Sequence, residues 1–132
     1  MDKIINIKYY VSMLMLFTFL VSCKAGDKNL PSISAEQLQT KLNADSNLVL
    51  LDVRTVGEFN GPLGHIEGAI LIPVNELSAR IDELDKYKDD EIMVYCRSGN
   101  RSRVATDYLL QNGYNAVNIL GGIKAWNKLH NK

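Results

Sequence analysis

Two cysteines, three prolines and one tryptophan are all that the 132-residue chain holds of those types. So few cysteines exclude a disulfide-dense scaffold, and the shortage of proline beside only nine glycines excludes a collagen-like or proline-rich chain. A surplus of charge is also lacking, because 15 lysines and arginines balance 15 aspartates and glutamates. No global field therefore draws the chain to nucleic acid or to an acidic partner, and any anion specificity has to be local. The longest apolar stretch falls short of the roughly 18 to 20 residues that a spanning helix needs. Internal repeats and low-complexity runs are missing too. What remains, 46% hydrophobic and 23% charged residues, is the composition of one ordinary globular domain.

The N-terminal residues read differently from the rest. Lys3 and Lys8 form a short basic region, "YYVSMLMLFTFLV" supplies the hydrophobic stretch, and small Ser22 precedes Cys23. This is the layout of a secretory signal. Leu20-Val21-Ser22-Cys23 also resembles the lipobox of bacterial lipoproteins. That resemblance implies a signal peptide over 1–22, a lipid on Cys23, and an exported domain anchored to a bacterial cell membrane and facing the periplasm. The alternative is an uncleaved N-terminal anchor, which also places the domain outside the cytoplasm. Residues 23–32 are polar and broken by Gly26 and Pro31, as a tether is, and the domain is expected over 33–132. With Cys23 lipidated, Cys96 is the one remaining thiol and a disulfide within the domain is impossible. A solitary thiol in an oxidising compartment is either buried and inert or kept for its reactivity.

Within the domain, Ser34-Ala35-Glu36-Gln37 has the form of a capping box and predicts a helix to about Leu42. The apolar runs 48–53, 69–74, 91–96 and 115–120 predict four strands, with 48–53 buried on both faces. Residues 75–87, with Leu77, Ile81 and Leu84 at helical spacing, predict an amphipathic helix. A further helix over 101–113 is closed by Gly113, and a last one follows Gly121-Gly122. Strands alternating with helices imply an α/β fold in which helices cover both faces of a mostly parallel sheet.

In such folds the ligand site lies beyond the carboxyl ends of the strands. Cys96 falls there, at the end of an apolar run and just before a helix N-terminus. Backbone N–H groups without intrahelical partners, together with the helix dipole, favour an anion at that point. The same surroundings stabilise a thiolate, because helix N-termini and neighbouring cations lower a cysteine pKa. Arg97 and Arg101 flank the cysteine, Gly99 permits a tight cradle, and Ser98 and Ser102 offer hydroxyl donors.

The segment Cys96-Arg97-Ser98-Gly99-Asn100-Arg101-Ser102 resembles the active-site loop of the rhodanese-like sulfurtransferases. Two further stretches support the likeness. Leu51-Asp52-Val53-Arg54, Glu58-Phe59 and Gly64-His65-Ile66-Glu67-Gly68-Ala69 are similar to one family signature, and Gly121-Gly122-Ile123 with Trp126 to another. The resemblance implies a three-layer rhodanese-like fold and a Cys96 persulfide held by the loop from Arg97 through Ser98, Gly99, Asn100 and Arg101 to Ser102. It implies a small sulfur-containing anion such as thiosulfate as donor and a thiol or other thiophilic acceptor, a protein among them, with no metal or organic cofactor. The chain departs from the family pattern at "NGPLGHI" and at Leu71, which bears on the rim of the pocket.

Other readings differ in chemistry. Cysteine phosphatases and arsenate reductases place a cysteine similarly but use C-x5-R, whereas Cys96 to Arg101 is C-x4-R, one residue short. A non-catalytic or redox-sensing binding module at the membrane is the other alternative. Asp52, Arg54 and Glu58 read as a charged network bracing the loop, because buried charges need partners. His65 reads as a structural hydrogen-bonding residue, Trp126 as core, and Gly121-Gly122 as a turn rather than a phosphate cradle.

Overall fold

The computed structural model describes residues 29–45 and 47–131. The expected signal peptide over 1–22, the Cys23 lipid site and most of the 23–32 tether lie outside the described residues. Among the described residues, no helix is long and apolar enough to cross a membrane.

In chain order the elements are β1 (Ser32–Ile33), α1 (Ala35–Ala44), β2 (Val49–Asp52), α2 (Val56–Phe59), β3 (Ile70–Leu71) and α3 (Leu77–Arg80). A 3₁₀ segment (Ile81–Tyr87) follows, then β4 (Glu91–Tyr95), α4 (Asn100–Gln111), β5 (Asn115–Ile119) and α5 (Gly122–Leu129). The five strands form one parallel sheet in the order β1-β5-β4-β2-β3. The expected α/β fold with a parallel sheet between two helical layers is therefore present.

Period-two alternation distributes the core over both faces of that sheet. Ile92, Val94 and Cys96 on β4 and its end face α4 and the 3₁₀ segment, with Leu84, Ala105 and Leu109. Met93 and Tyr95 face the other way, toward Leu38 of α1 and Ile123 of α5. Leu51, Ile92, Met93, Val94 and Leu109 are each fully buried, and burying such a side chain stabilises by about 1.5–3 kcal/mol.

Local chemistry sets the helix ends. At α1 the Ser34 side chain accepts from Gln37 N while the Gln37 side chain accepts from Ser34 N, which completes the capping box. At α4 the end is a Schellman motif around Gly113, whose φ is 83°. There Tyr114 N donates to Leu109 O (3.1 Å) and Gly113 N to Leu110 O (3.2 Å).

Three elements differ from expectation. Residues 75–87 form one α-helical turn followed by a 3₁₀ segment instead of a single amphipathic helix. Ile81, Leu84 and Tyr87 recur every third residue and all pack into one core cluster, which suits three residues per turn. The strand expected over 69–74 is ordered as a pair only at Ile70–Leu71. β1 is an addition, since a two-residue strand carries no readable periodicity. It pairs Ser32 with Asn118 and Ile33 with Ile119.

Candidate active site

β4 ends at Tyr95 and α4 begins at Asn100, so Cys96 stands between the carboxyl end of a central strand and a helix N-terminus. The residue is 1% exposed and faces the α4 side of the sheet. Its loop is tight because Gly99 takes φ 108°, a left-handed conformation that glycine adopts without a Cβ penalty. Gly99 N donates to Cys96 Sγ at 3.1 Å, and Ser102 Oγ lies 3.4 Å from the same sulfur. Burial pushes the Cys96 thiol pKa up. Hydrogen bonds from the Ser102 hydroxyl and from the backbone N–H groups of Ser102, Gly99 and Ser98 outweigh it and leave the thiol below its ordinary value. The loop is thus arranged for a negatively charged sulfur.

The two loop arginines have different surroundings. Arg101 is held by Glu58, with Nη1 to Oε2 and Nη2 to Oε1 both 2.7 Å. This bidentate pair fastens α2 to the cysteine loop and, with Thr55 assisting, holds the Glu58 carboxyl down at about 2 against the effect of its burial. Arg97 is exposed and makes no ion pair among the described residues. With Pro62, Leu63, Glu58 and Arg54 it lines a cavity of about 290 Å³ beside the loop. Pro62 and Leu63 belong to the stretch where the chain departs from the family pattern. Ser98 and Asn100 are exposed, and Ser102 is fully buried.

Arg54 is itself only 1% exposed. Its Nη2 donates to Asp52 Oδ2 (2.6 Å) and Gly64 O (2.7 Å), its Nε donates to both Asp52 oxygens (3.0 Å), and its Nη1 donates to Glu58 O (3.3 Å). Burial disfavours its charge, but the Asp52 carboxylate more than offsets this and raises its pKa. Asp52 and Arg54 therefore form a buried ion pair, and its link toward the cysteine loop runs through Glu58. Glu58 enters by its carbonyl on one side and by its carboxylate, through Arg101, on the other. Tyr95 extends the brace. Arg54 lies over its ring at 5.7 Å, and its hydroxyl accepts from Ile66 N at 3.1 Å. His65 is exposed, stacks on Phe59 with ring centroids 3.7 Å apart, and bonds Phe59 O through Nδ1 at 3.0 Å. Its partners are structural. Trp126 is half-buried, packed against the second core cluster and tilted on His130.

Two residues near the cysteine have roles that the sequence did not show. Gly122 is more than a turn residue. A Cβ there would collide with the Cys96 carbonyl oxygen and lie 2.8 Å from Arg97 C and O. Its absence lets the first turn of α5 approach the loop, where Ile123 N donates to Cys96 O (2.8 Å) and Lys124 N to Arg97 O (3.2 Å). The other is Asn118, 3% exposed on β5, with Oδ1 2.7 Å from Ser102 Oγ. A polar residue between Val117 and Ile119, facing inward on the strand, was its only signal in the sequence.

Comparison with known proteins agrees with this geometry. The family described as "Rhodanese-like domain" matches residues 34–129. The chain is 39% identical over 95 residues to a protein of Allochromatium vinosum named "Sulfurtransferase", which covers 71% of this chain and 85% of that one. It is 35% identical over 99 residues to YrkF of Bacillus subtilis, covering 74% of this chain but only 51% of that one, so it spans about half of that relative's length. A crystal structure of a rhodanese-like domain protein from Staphylococcus aureus superposes with a TM-score of 0.64 at 35% identity, covering 73% of this chain and 90% of that one. With the cysteine loop at the strand end, the charged brace beside it and a family match over most of its length, the chain belongs to the rhodanese-like domain family.

Proposed function

We propose that the chain is a sulfurtransferase that moves a sulfane sulfur from thiosulfate or a similar donor to a thiophilic acceptor through a persulfide on Cys96. The observation that carries this reading is the Cys96 sulfur itself, buried at a helix N-terminus and bonded by Gly99 N and Ser102 Oγ. The name of the Allochromatium vinosum relative supports it.

In the first step the Cys96 thiolate attacks the outer sulfur of thiosulfate. The new Cys96 S–S bond forms as the donor's own S–S bond breaks, and sulfite leaves with the bonding pair. The loop N–H groups then face the anionic outer sulfur of the persulfide, as a preorganised anion hole does. In the second step an acceptor thiolate or other nucleophile takes that sulfur and returns Cys96 as a thiolate. With Arg101 committed to Glu58, Arg97 is the side chain available to the sulfonate end of the donor. Six residues from Cys96 to Arg101, one short of the phosphatase spacing, suit a single sulfur better than a tetrahedral phosphate.

The test is to incubate the full chain with thiosulfate and map its peptides by mass. The peptide containing Cys96 is expected to gain about 32 Da, one sulfur atom, and to lose it on addition of cyanide or a thiol. No adduct with any sulfane donor, or equal transfer by Cys96→Ser, overturns the reading.

Export and lipid anchoring at Cys23 belong to the same proposal. The basic residues, hydrophobic stretch and Leu20-Val21-Ser22-Cys23 support them. Palmitate labelling in a bacterial host is expected to vanish in Cys23→Ala, and labelling that survives it rules the anchor out.

A further inference from the structure

Ser102 has one hydroxyl proton and three acceptors around it. Its Oγ lies 2.7 Å from Asn118 Oδ1, 3.2 Å from Gly99 O and 3.4 Å from Cys96 Sγ. A hydroxyl donates once, so in this arrangement the shortest contact, to Asn118, competes with the sulfur. Ser102 is fully buried and Asn118 3% exposed, which leaves little room for water to serve in place of either.

Asn118 is held firmly for this contact. Its backbone N–H donates to Pro31 O at 2.8 Å, and its register on β5 is opposite Val94, two residues before the cysteine. Among the described residues the bond to Ser102 is the only hydrogen bond its side chain makes. A buried amide is costly unless it is bonded, so the contact with the cysteine's own hydroxyl donor accounts for its position. An amide is also reversible. Rotation of the side-chain amide by half a turn exchanges oxygen for nitrogen while the strand stays where it is. In the reversed setting Nδ2–H donates to Ser102 Oγ, and the hydroxyl proton is free for the sulfur. No other Nδ2 hydrogen bond to a described residue is broken by the reversal.

The charge on sulfur decides which setting is stable. A neutral thiol is a weak acceptor, whereas hydrogen bonds to an ionised acceptor are roughly twice as strong as neutral ones. We propose that Asn118 is a positioning residue for the nucleophile. Its amide turns as Cys96 ionises, so that Ser102 donates to Asn118 while the sulfur is a thiol and to the sulfur once it is a thiolate or persulfide anion. The thiol proton leaves to solvent and nothing else is gained or lost. Asn118 thereby acts on Cys96 only through Ser102. The proposal rests on Cys96 being the reactive group of the proposed function, but not on which sulfur compound it meets.

The test reads ionisation instead of sulfur transfer, so its failure is distinct from failure of the sulfurtransferase reading. Iodoacetamide alkylation of Cys96 in the full chain is followed against pH by peptide mapping. Asn118→Asp, which when ionised can only accept, pins the Ser102 proton away from sulfur. Its alkylation midpoint is expected to move up, and the rate near about pH 7 to fall by about fivefold to tenfold. On a Ser102→Ala background the same substitution is expected to move the midpoint much less, leaving only the effect of the added charge. Equal shifts in both backgrounds overturn the proposal. Should Asn118→Asp fail to fold, the unaltered chain decides: the Asn118 Nδ2 proton resonances are expected to titrate with the Cys96 midpoint. Resonances that stay fixed through that titration overturn it as well.

Discussion

Arg97 and Arg101 stand four residues apart in one loop, yet they answer to different physics. Arg101 is half-exposed and locked to Glu58 by two charge-assisted bonds, so it positions the loop. Arg97 is exposed and lines the cavity without an ion-pair partner among the described residues. Arg97→Ala is therefore expected to raise KM for thiosulfate, the proposed donor, by about tenfold, the loss of one charge-assisted bond, while kcat and the thermal midpoint stay near their original values. Steady-state kinetics and a melting curve check this together. Glu58 makes a pH prediction. Its folded-state pKa is depressed from an ordinary 4.5 to about 2 by the Arg101 bonds, so the stability it contributes is present above about pH 4.5 and is lost as pH falls toward about 2. The difference in thermal midpoint between the original chain and Glu58→Gln is expected to be flat from neutral pH down to about pH 5 and to shrink below it. A difference that grows on acidification contradicts the clamp.

At the scale of elements, the loop is held from below by the first turn of α5. Gly122 and Gly113 both have positive φ, at 54° and 83°, so alanine strains the backbone at each. Their surroundings separate them. At Gly113 an added Cβ meets nothing within 4 Å, while at Gly122 it meets the backbone of Cys96 and Arg97. Gly113→Ala is expected to cost about 1 kcal/mol and leave Cys96 alkylation unchanged. Gly122→Ala is expected to cost about 3 kcal/mol or more and to slow alkylation, because Ile123 N and Lys124 N are driven off the loop carbonyls. Denaturant melts and alkylation rates on the two variants separate strain from displacement. Element-level features were unevenly legible in the sequence. The capping box at Ser34 and the glycine end of α4 lie within a few residues of the groups they satisfy, so they could be read directly. The 3₁₀ segment could not, because Leu77, Ile81 and Leu84 fit the helical period until packing selects between the two geometries.

For the whole molecule, the parallel sheet makes the site depend on distant chain. β1 lies at one edge, and its pairing to β5 places Pro31 O on the N–H of Asn118 and Ile33 O on that of Leu120. A chain lacking residues 1–33 is expected to melt about 5 °C or more below one lacking residues 1–28, through lost hydrogen bonds and Ile33 packing. Equal melting temperatures would show that β1 adds nothing to the sheet. The amino-acid sequence by itself determined what is local: the strand and helix alternation, the caps, and a cysteine set at a strand end before Arg97-Ser98-Gly99-Asn100-Arg101-Ser102. Only the tertiary structure decided which arginine is paired with Glu58, why Gly122 has no side chain, and that Asn118 meets Ser102. Those outcomes rest on contacts between residues far apart in sequence, 43 apart for Arg101 with Glu58 and 16 for Ser102 with Asn118. Periodicity and propensity describe neighbours along the chain, whereas these partners are chosen by the register and packing of the sheet.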